Sequence, residues 1–72
     1  MSSQEAFYRE QAAVARAGAS AATLDNVRER WLLSENSWME LAERSERADK
    51  MRQKLIVEKA NERAALHAAA EG

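Results

Sequence analysis

The stretch RERWLLSENSWMELAER, residues 28–44, carries both tryptophans of this 72-residue chain. Trp31 and Trp38 are seven residues apart, close to two helical turns, so both indoles would lie on one face of a helix. Small or apolar residues extend this spacing in both directions, in alternating steps of three and four: Leu24, Val27, Trp31, Ser34, Trp38, Leu41, Ser45 and Ala48. Such heptad spacing predicts a helix that packs against another helix.

Residues that break helices are confined to one region of the chain. The sequence has no proline, and its two glycines are Gly18 and Gly72. The segment GASAAT, residues 18–23, is therefore the single place where a turn is predicted. Because helical spacing continues on both sides of it, we expect two helices and no strand.

The two predicted helices differ in length. The first spans residues 3–20 and begins with Ser3 as its N-cap. Its apolar positions form a narrow stripe: Tyr8, Ala12, Ala15 and Ala19. The second helix is capped by Thr23 and spans residues 24–65, with a frayed end beyond it because terminal alanines bury little surface. The alternative is a third helix that begins near Asp49, where the heptad spacing slips by one residue.

The chain has little material for a hydrophobic core. It contains 33 apolar residues, but 16 of them are alanine, which fills little volume. A domain of this size usually needs a disulfide, a metal or a partner subunit for stability. Since the sequence has no cysteine, disulfides and thiolate metal sites are excluded. A partner subunit is the route that remains.

A second copy of the chain would also resolve a mismatch in helix length. At about 1.5 Å per residue the first helix is roughly 25 Å long and the second roughly 60 Å, so the first covers the second only to about Ala42. We therefore expect an all-α fold, a helical hairpin with a long second helix, paired into a homodimer with a four-helix core. The residues predicted at the dimer interface are Tyr8, Leu24, Val27, Trp31, Trp38, Leu41, Met51 and Leu55.

The balance of charges excludes several classes of partner. The chain has 11 Lys and Arg against 12 Asp and Glu, a net charge of −1, and no segment basic enough for nucleic-acid binding. The opening residues MSSQEAFYRE lack the apolar run of a signal peptide. No apolar stretch approaches the roughly 20 residues needed to span a bilayer. A soluble cytoplasmic protein is expected.

No combination of residues predicts a catalytic or metal site. His67 is the only histidine and is interpreted as a surface residue without the helical partners that a metal ligand needs. Glu40, Glu43 and Glu46 each precede a base by four residues, which predicts a solvated, ion-paired face. The candidate nucleophiles, none with a histidine base in helical reach, are Tyr8, Ser34, Ser37 and Ser45. We expect no enzyme activity, cofactor or bound metal.

One sequence pattern extends over residues 8–50. It consists of YR at residues 8–9, Arg16, AT at residues 22–23, VR at residues 27–28 and WMELAE at residues 38–43. In these residues the chain resembles a group of short alphaproteobacterial helical proteins of uncharacterised activity, with a Y-R-x-x-A start, an A-T turn, V-R and W-x-x-L-A. Many of them have Asp-Pro-Glu after the turn, where this chain has Leu24, Asp25 and Asn26. The resemblance implies a helical hairpin and assigns no functional residue.

The leading hypothesis for function is a small interaction or scaffold protein without catalysis. The alternative is a peripheral membrane or regulatory adaptor that acts through RADKMRQKLIVEK, residues 47–59, where five bases surround four large apolar residues. A third hypothesis, a helical enzyme subunit, is disfavoured by the single histidine.

Overall fold

The computed structural model describes residues 2–71, which form two α-helices folded into a hairpin. Helix α1 spans Ser3–Ala21 and helix α2 spans Asp25–Glu71. Because α2 is continuous, the alternative of a third helix near Asp49 is wrong, and the helical hairpin with a long second helix is confirmed. The hairpin is a rod of 72 × 15 × 12 Å.

Helix α1 begins at Ser3, the predicted first residue, but its N-cap lies one residue earlier than predicted. The N-cap is Ser2 and not Ser3, because the Ser2 Oγ accepts a hydrogen bond of 3.0 Å from the backbone N–H of Glu5. Ser2 and Glu5 have the spacing of a capping box, and the carboxylate lies near the positive end of the helix dipole. The Ser2 hydroxyl also lies 3.3 Å from the Ser45 hydroxyl, which ties the start of α1 to α2.

The turn between the helices is held by Arg28. Its Nη2 donates to the carbonyl oxygen of Ala22 at 2.9 Å, and its Nη1 donates to Oδ1 of Asp25 at 3.2 Å. The carbonyl of Leu24 accepts the first helical hydrogen bond of α2, from the Arg28 N–H. Leu24 therefore stands at the cap position, and the prediction of Thr23 as the cap is wrong. The Arg28 guanidinium partners a carbonyl that the end of α1 would otherwise leave unpaired.

The two helices meet through alanine. The buried apolar residues of the described chain are Ala12, Ala15, Ala19 and Ala42, each at most 4% exposed. This confirms the alanine stripe of α1, while its aromatic member, Tyr8, is half-buried. Because alanine has only a methyl side chain, the two helix backbones can approach closely, but little apolar surface leaves water.

Helix α1 covers more of α2 than the sequence predicted. Asp49 is still half-buried, so the cover extends about two turns past Ala42. The short turn between Ala21 and Asp25 brings the start of α1 beside this part of α2, where the Ser2 and Ser45 hydroxyls lie 3.3 Å apart. Residues 51–71 are all exposed.

The far end of α2 also differs from the prediction. The helix continues to Glu71 instead of fraying beyond residue 65. Alanine, the strongest helix former, makes up half of residues 66–71, and no breaker interrupts them. His67 Nε2 lies 2.9 Å from Oε1 of Glu71, one turn later. Neither α1 nor α2 contains a stretch both long and apolar enough to cross a lipid bilayer.

Candidate interaction surface

The hairpin has two unlike edges along the line where α1 meets α2. Taking Ala42 as the centre of that contact, Trp38 and Glu46 lie about 40° to opposite sides of it, at about 100° per residue. The side of Trp38, which we name the aromatic edge, is formed by Phe7, Tyr8, Gly18, Trp31 and Trp38. The side of Glu46, the ionic edge, is formed by Glu5, Arg9, Arg16, Glu35, Glu46 and Lys50.

Trp38 lies in a cluster of three rings. Its indole meets Phe7 edge-on, with centroids 5.9 Å apart and planes at 88°, and lies 6.0 Å from the ring of Tyr8 at 31°. Edge-on and tilted pairs at this separation are the favourable arrangements of aromatic rings. Trp38 is half-buried, and Phe7 is 49% exposed. The cluster is therefore covered by the first turns of α1 and open on its outer side.

Trp31 packs against Gly18. The sequence placed Gly18 in the turn, but it lies inside α1, where its missing side chain makes room for the indole. A Cβ on Gly18 would lie 2.9 Å from Cε3 of Trp31 and closer still to Cδ2 and Cε2. The ring nevertheless remains 38% exposed. Each tryptophan thus contacts its own chain on one side and solvent on the other.

Two open grooves follow the aromatic edge along α2. The first, which we name the Trp31 groove, lies near the turn and is lined by Val27, Arg30, Trp31 and Ser34. The second, the Leu41 groove, lies near the start of α1 and is lined by Gln4, Tyr8, Leu41, Arg44, Ser45, Ala48 and Arg52. Within the described chain no other segment fills either groove.

The structure brings together part of the predicted interface. The members that line the aromatic edge or its grooves are Tyr8, Val27, Trp31, Trp38 and Leu41. Leu24 lies apart from them at the turn, while Met51 and Leu55 lie on the part of α2 that α1 does not reach. The sequence analysis missed Phe7 and Gly18 as parts of this surface.

The ionic edge is a chain of ion pairs between the two helices. Arg9 donates to Glu5 at 2.8 Å and to Glu46 at 3.0 Å, and Lys50 lies 2.8 Å from the other oxygen of Glu46. Nearer the turn, Arg16 and Glu35 are 3.5 Å apart. Glu46 therefore belongs to the contact between helices and not to the solvated outer face that the sequence predicted.

Hydrogen bonds and neighbouring charges shift the pKa values in this network. The hydrogen bond from Lys50, and then its charge, lower the pKa of Glu46 below its usual 4.5. The same contacts raise the pKa of Lys50, and the hydrogen bond to Glu5 raises that of Arg9. The Arg9–Glu46 and Glu46–Lys50 pairs are well exposed to water, which limits their contribution to stability, whereas the Glu5 partner of Arg9 is buried.

We expect acid to weaken this network. A group whose pKa is lowered on folding adds stability above its unfolded pKa and loses it as pH falls through the folded value. The melting temperature should therefore decline modestly as pH drops from about 5 to 3. The Glu46→Gln variant should decline less over that window, because residue 46 no longer titrates. Circular dichroism melts at a series of pH values would measure both, and identical declines would show that Glu46 contributes nothing.

Outside the ionic edge, polar side chains of residues 2–71 form hydrogen bonds within α1 and between the two helices. The Tyr8 hydroxyl accepts a hydrogen bond from Gln4 at 2.9 Å, and Ser45 contacts Ser2. The interpretation of His67 as lacking a helical partner is wrong, since Glu71 lies beside it. One histidine and one carboxylate fall short of the three or four protein ligands of a zinc site. Residues 2–71 contain no cluster of three or more metal-ligating side chains.

Comparison of the chain with protein-family models, with curated proteins and with solved structures finds no match. The resemblance to the alphaproteobacterial helical proteins stays a prediction.

Proposed function

We propose that this chain is a non-catalytic interaction or scaffold module that works as a homodimer. One observation carries the proposal: Trp31 and Trp38 pack on α1 from one side and are open to solvent on the other. Contiguous exposed apolar surface of this kind is typical of protein interaction sites. Tryptophan and tyrosine are also among the residues in which binding energy concentrates.

The small apolar core of the hairpin also favours a homodimer. Its buried apolar core consists of alanines, and burial of a methyl group contributes far less than burial of a large side chain. Domains of fewer than about 80 residues gain at most about 3–5 kcal/mol from a single core and often add a partner subunit. A second copy that covers the aromatic edge would supply the missing burial, with four helices in the assembly.

A membrane or regulatory adaptor that acts through residues 47–59 is the alternative. Four large apolar side chains there are exposed: Met51, Leu55, Ile56 and Val57. At about 100° per residue they point to several sides of α2, with basic residues between them. A helix that lies on a membrane needs its apolar residues on one face. The alternative therefore has weaker support than the homodimer.

Sedimentation equilibrium from low to high micromolar concentration tests the proposal. We expect a dimer that keeps its helical circular dichroism spectrum over this range. A helical monomer at high micromolar concentration would contradict it. Co-sedimentation with vesicles that contain anionic lipid should leave the chain in the supernatant, whereas its appearance in the pellet would favour the adaptor. The cytoplasmic location stays a prediction.

A further inference from the structure

The far half of α2 has the fewest contacts with the rest of the hairpin. Residues 50–71, which we name the tail, are all exposed and have no contact with α1 beyond its first turns. The tail has 22 residues, about 33 Å of helix, and the part of α2 before it that lies along α1 has nearly the same length. Three of the exposed large side chains lie in the tail on one side of α2: Met51, Leu55 and Leu66.

We infer that the tail of one copy lies antiparallel along the aromatic edge of a second copy, with the twofold axis at Ala48. The inference rests on the proposed homodimer and states how its subunits are arranged. Ala48 is the midpoint of Asp25–Glu71, so in this arrangement the tail of each copy runs beside the other copy's hairpin over its whole length. Ala48 is also small and exposed, which allows two α2 helices to approach closely.

The apolar residues match in this register. Leu41 and Leu55 are each seven residues from Ala48, so each Leu55 meets the partner copy's Leu41 groove. Leu66 is 18 residues after Ala48, and Arg30 is 18 residues before it. Each Leu66 therefore meets the Trp31 groove, which Arg30 lines. A single choice of axis therefore places two exposed leucines of each copy in the two open grooves of the other copy.

In this arrangement the second copy's tail approaches α2 from the side on which the tryptophans lie. Measured from Ala42, which faces α1, Trp38 lies about 40° to one side and Leu41 about 100° to the same side. The indole of Trp38 thus lies between α1 and the position of the second copy's tail. The four helices then form two three-helix segments, one at each end of the dimer. The indoles are shared between these segments instead of meeting in one central core.

Charge complementarity favours this arrangement over the parallel one. Residues 1–49 carry six bases and nine acids, whereas the tail carries five bases and three acids. An antiparallel dimer places each basic tail along a hairpin of net negative charge, although the charged side chains that line the two grooves themselves are Arg30, Arg44 and Arg52. A parallel dimer would place the two basic tails side by side, and like charges across an interface oppose association.

A distance measurement between spin labels tests the arrangement. The chain has no cysteine, so Asn61→Cys in the full chain gives a single labelling position on the tail. With the axis at Ala48 the two labels should be about 40 Å apart, because each lies 13 residues from it. A parallel dimer would bring them within about 20 Å, since paired helix axes are about 10 Å apart. The first result supports the inference, and the second overturns it while leaving the homodimer intact.

Two variants test which side of the tail makes contact. Leu55→Lys should raise the dimer dissociation constant at least about 30-fold, because it places a cation beside Arg44 and Arg52, which line the Leu41 groove. Val57→Lys is the matched control, since Val57 is similarly exposed but points to the opposite side of α2. Equal weakening by the two variants overturns the inferred register. A monomeric wild-type chain, together with no dipolar coupling in the labelled Asn61→Cys chain, overturns both the homodimer and its arrangement.

Discussion

Replacing Trp38 by alanine should give a monomeric chain that has lost most of its helix. The indole is the centre of the three-ring cluster with Phe7 and Tyr8, the main contact of large side chains between α1 and α2. Truncation of a buried aromatic residue costs about 3–5 kcal/mol. Trp38 is half-buried in the single chain, but the proposed second copy covers its open side. The loss is therefore comparable to the whole stability of a domain this small.

Sedimentation equilibrium and circular dichroism on the Trp38→Ala variant would measure the effect. Val57→Ala is the matched control, because Val57 is 55% exposed and points to the side of α2 opposite Leu55. It should remain dimeric and helical. Trp31→Ala should resemble Trp38→Ala or be milder, because Trp31 contacts Gly18 instead of a ring cluster. If Trp38→Ala stays dimeric and fully helical, the indole faces something other than a second copy.

The path of the chain was predictable because its signals are local. The chain has no proline, and its turn residues are confined to 18–23, so a single turn was predicted. The described residues have one turn between two helices. The stripe that includes Ala12, Ala15 and Ala19 follows the helical repeat and is indeed buried. Propensity, breakers and spacing operate within a few residues, so the sequence shows them directly.

The contacts between helices were harder to predict because they depend on register. The bond from Arg9 to Glu46 joins residues 37 apart, and only the length of the turn decides that they meet. The sequence paired Glu46 with Lys50 correctly, since those residues are one turn apart. It missed the contribution of Arg9 from the other helix. The caps, Ser2 and Leu24, each lie one residue from the predicted cap, since neighbouring residues could also serve as caps.

Gly18 was misread because glycine has two uses. In sequence it is a helix breaker, and that property made it the first of the predicted turn residues 18–23, although the predicted first helix extended to residue 20. In the structure it lies in α1 directly opposite Trp31, the smallest residue facing one of the largest. Gly18 lies four residues before the turn of residues 22–24 and Trp31 seven residues after it, so spacing in the sequence alone did not pair them.

Substituting Gly18 by alanine should destabilise the hairpin, although the same substitution normally stabilises a helix. Alanine in a helix interior is favoured over glycine by about 0.5–1 kcal/mol. Here the added methyl group overlaps the Trp31 indole, whose rigid ring has to move. Overpacking of this kind costs about 1–3 kcal/mol. The clash exceeds the gain in propensity, so we expect a net loss of about 1 kcal/mol in the free energy of unfolding.

A double-mutant cycle separates the steric clash with Trp31 from the gain in helix propensity at residue 18. Trp31→Leu removes the ring but leaves an apolar side chain in its place. In that background Gly18→Ala should stabilise the chain by about 0.5–1 kcal/mol, because only the propensity remains. Urea unfolding of the four proteins at one protein concentration would measure the change in the free energy of unfolding on Gly18→Ala in each background. Stabilisation by Gly18→Ala in both backgrounds would mean that the indole does not rest on Gly18. The reversal of sign is expected only if the two residues touch, as the hairpin register requires.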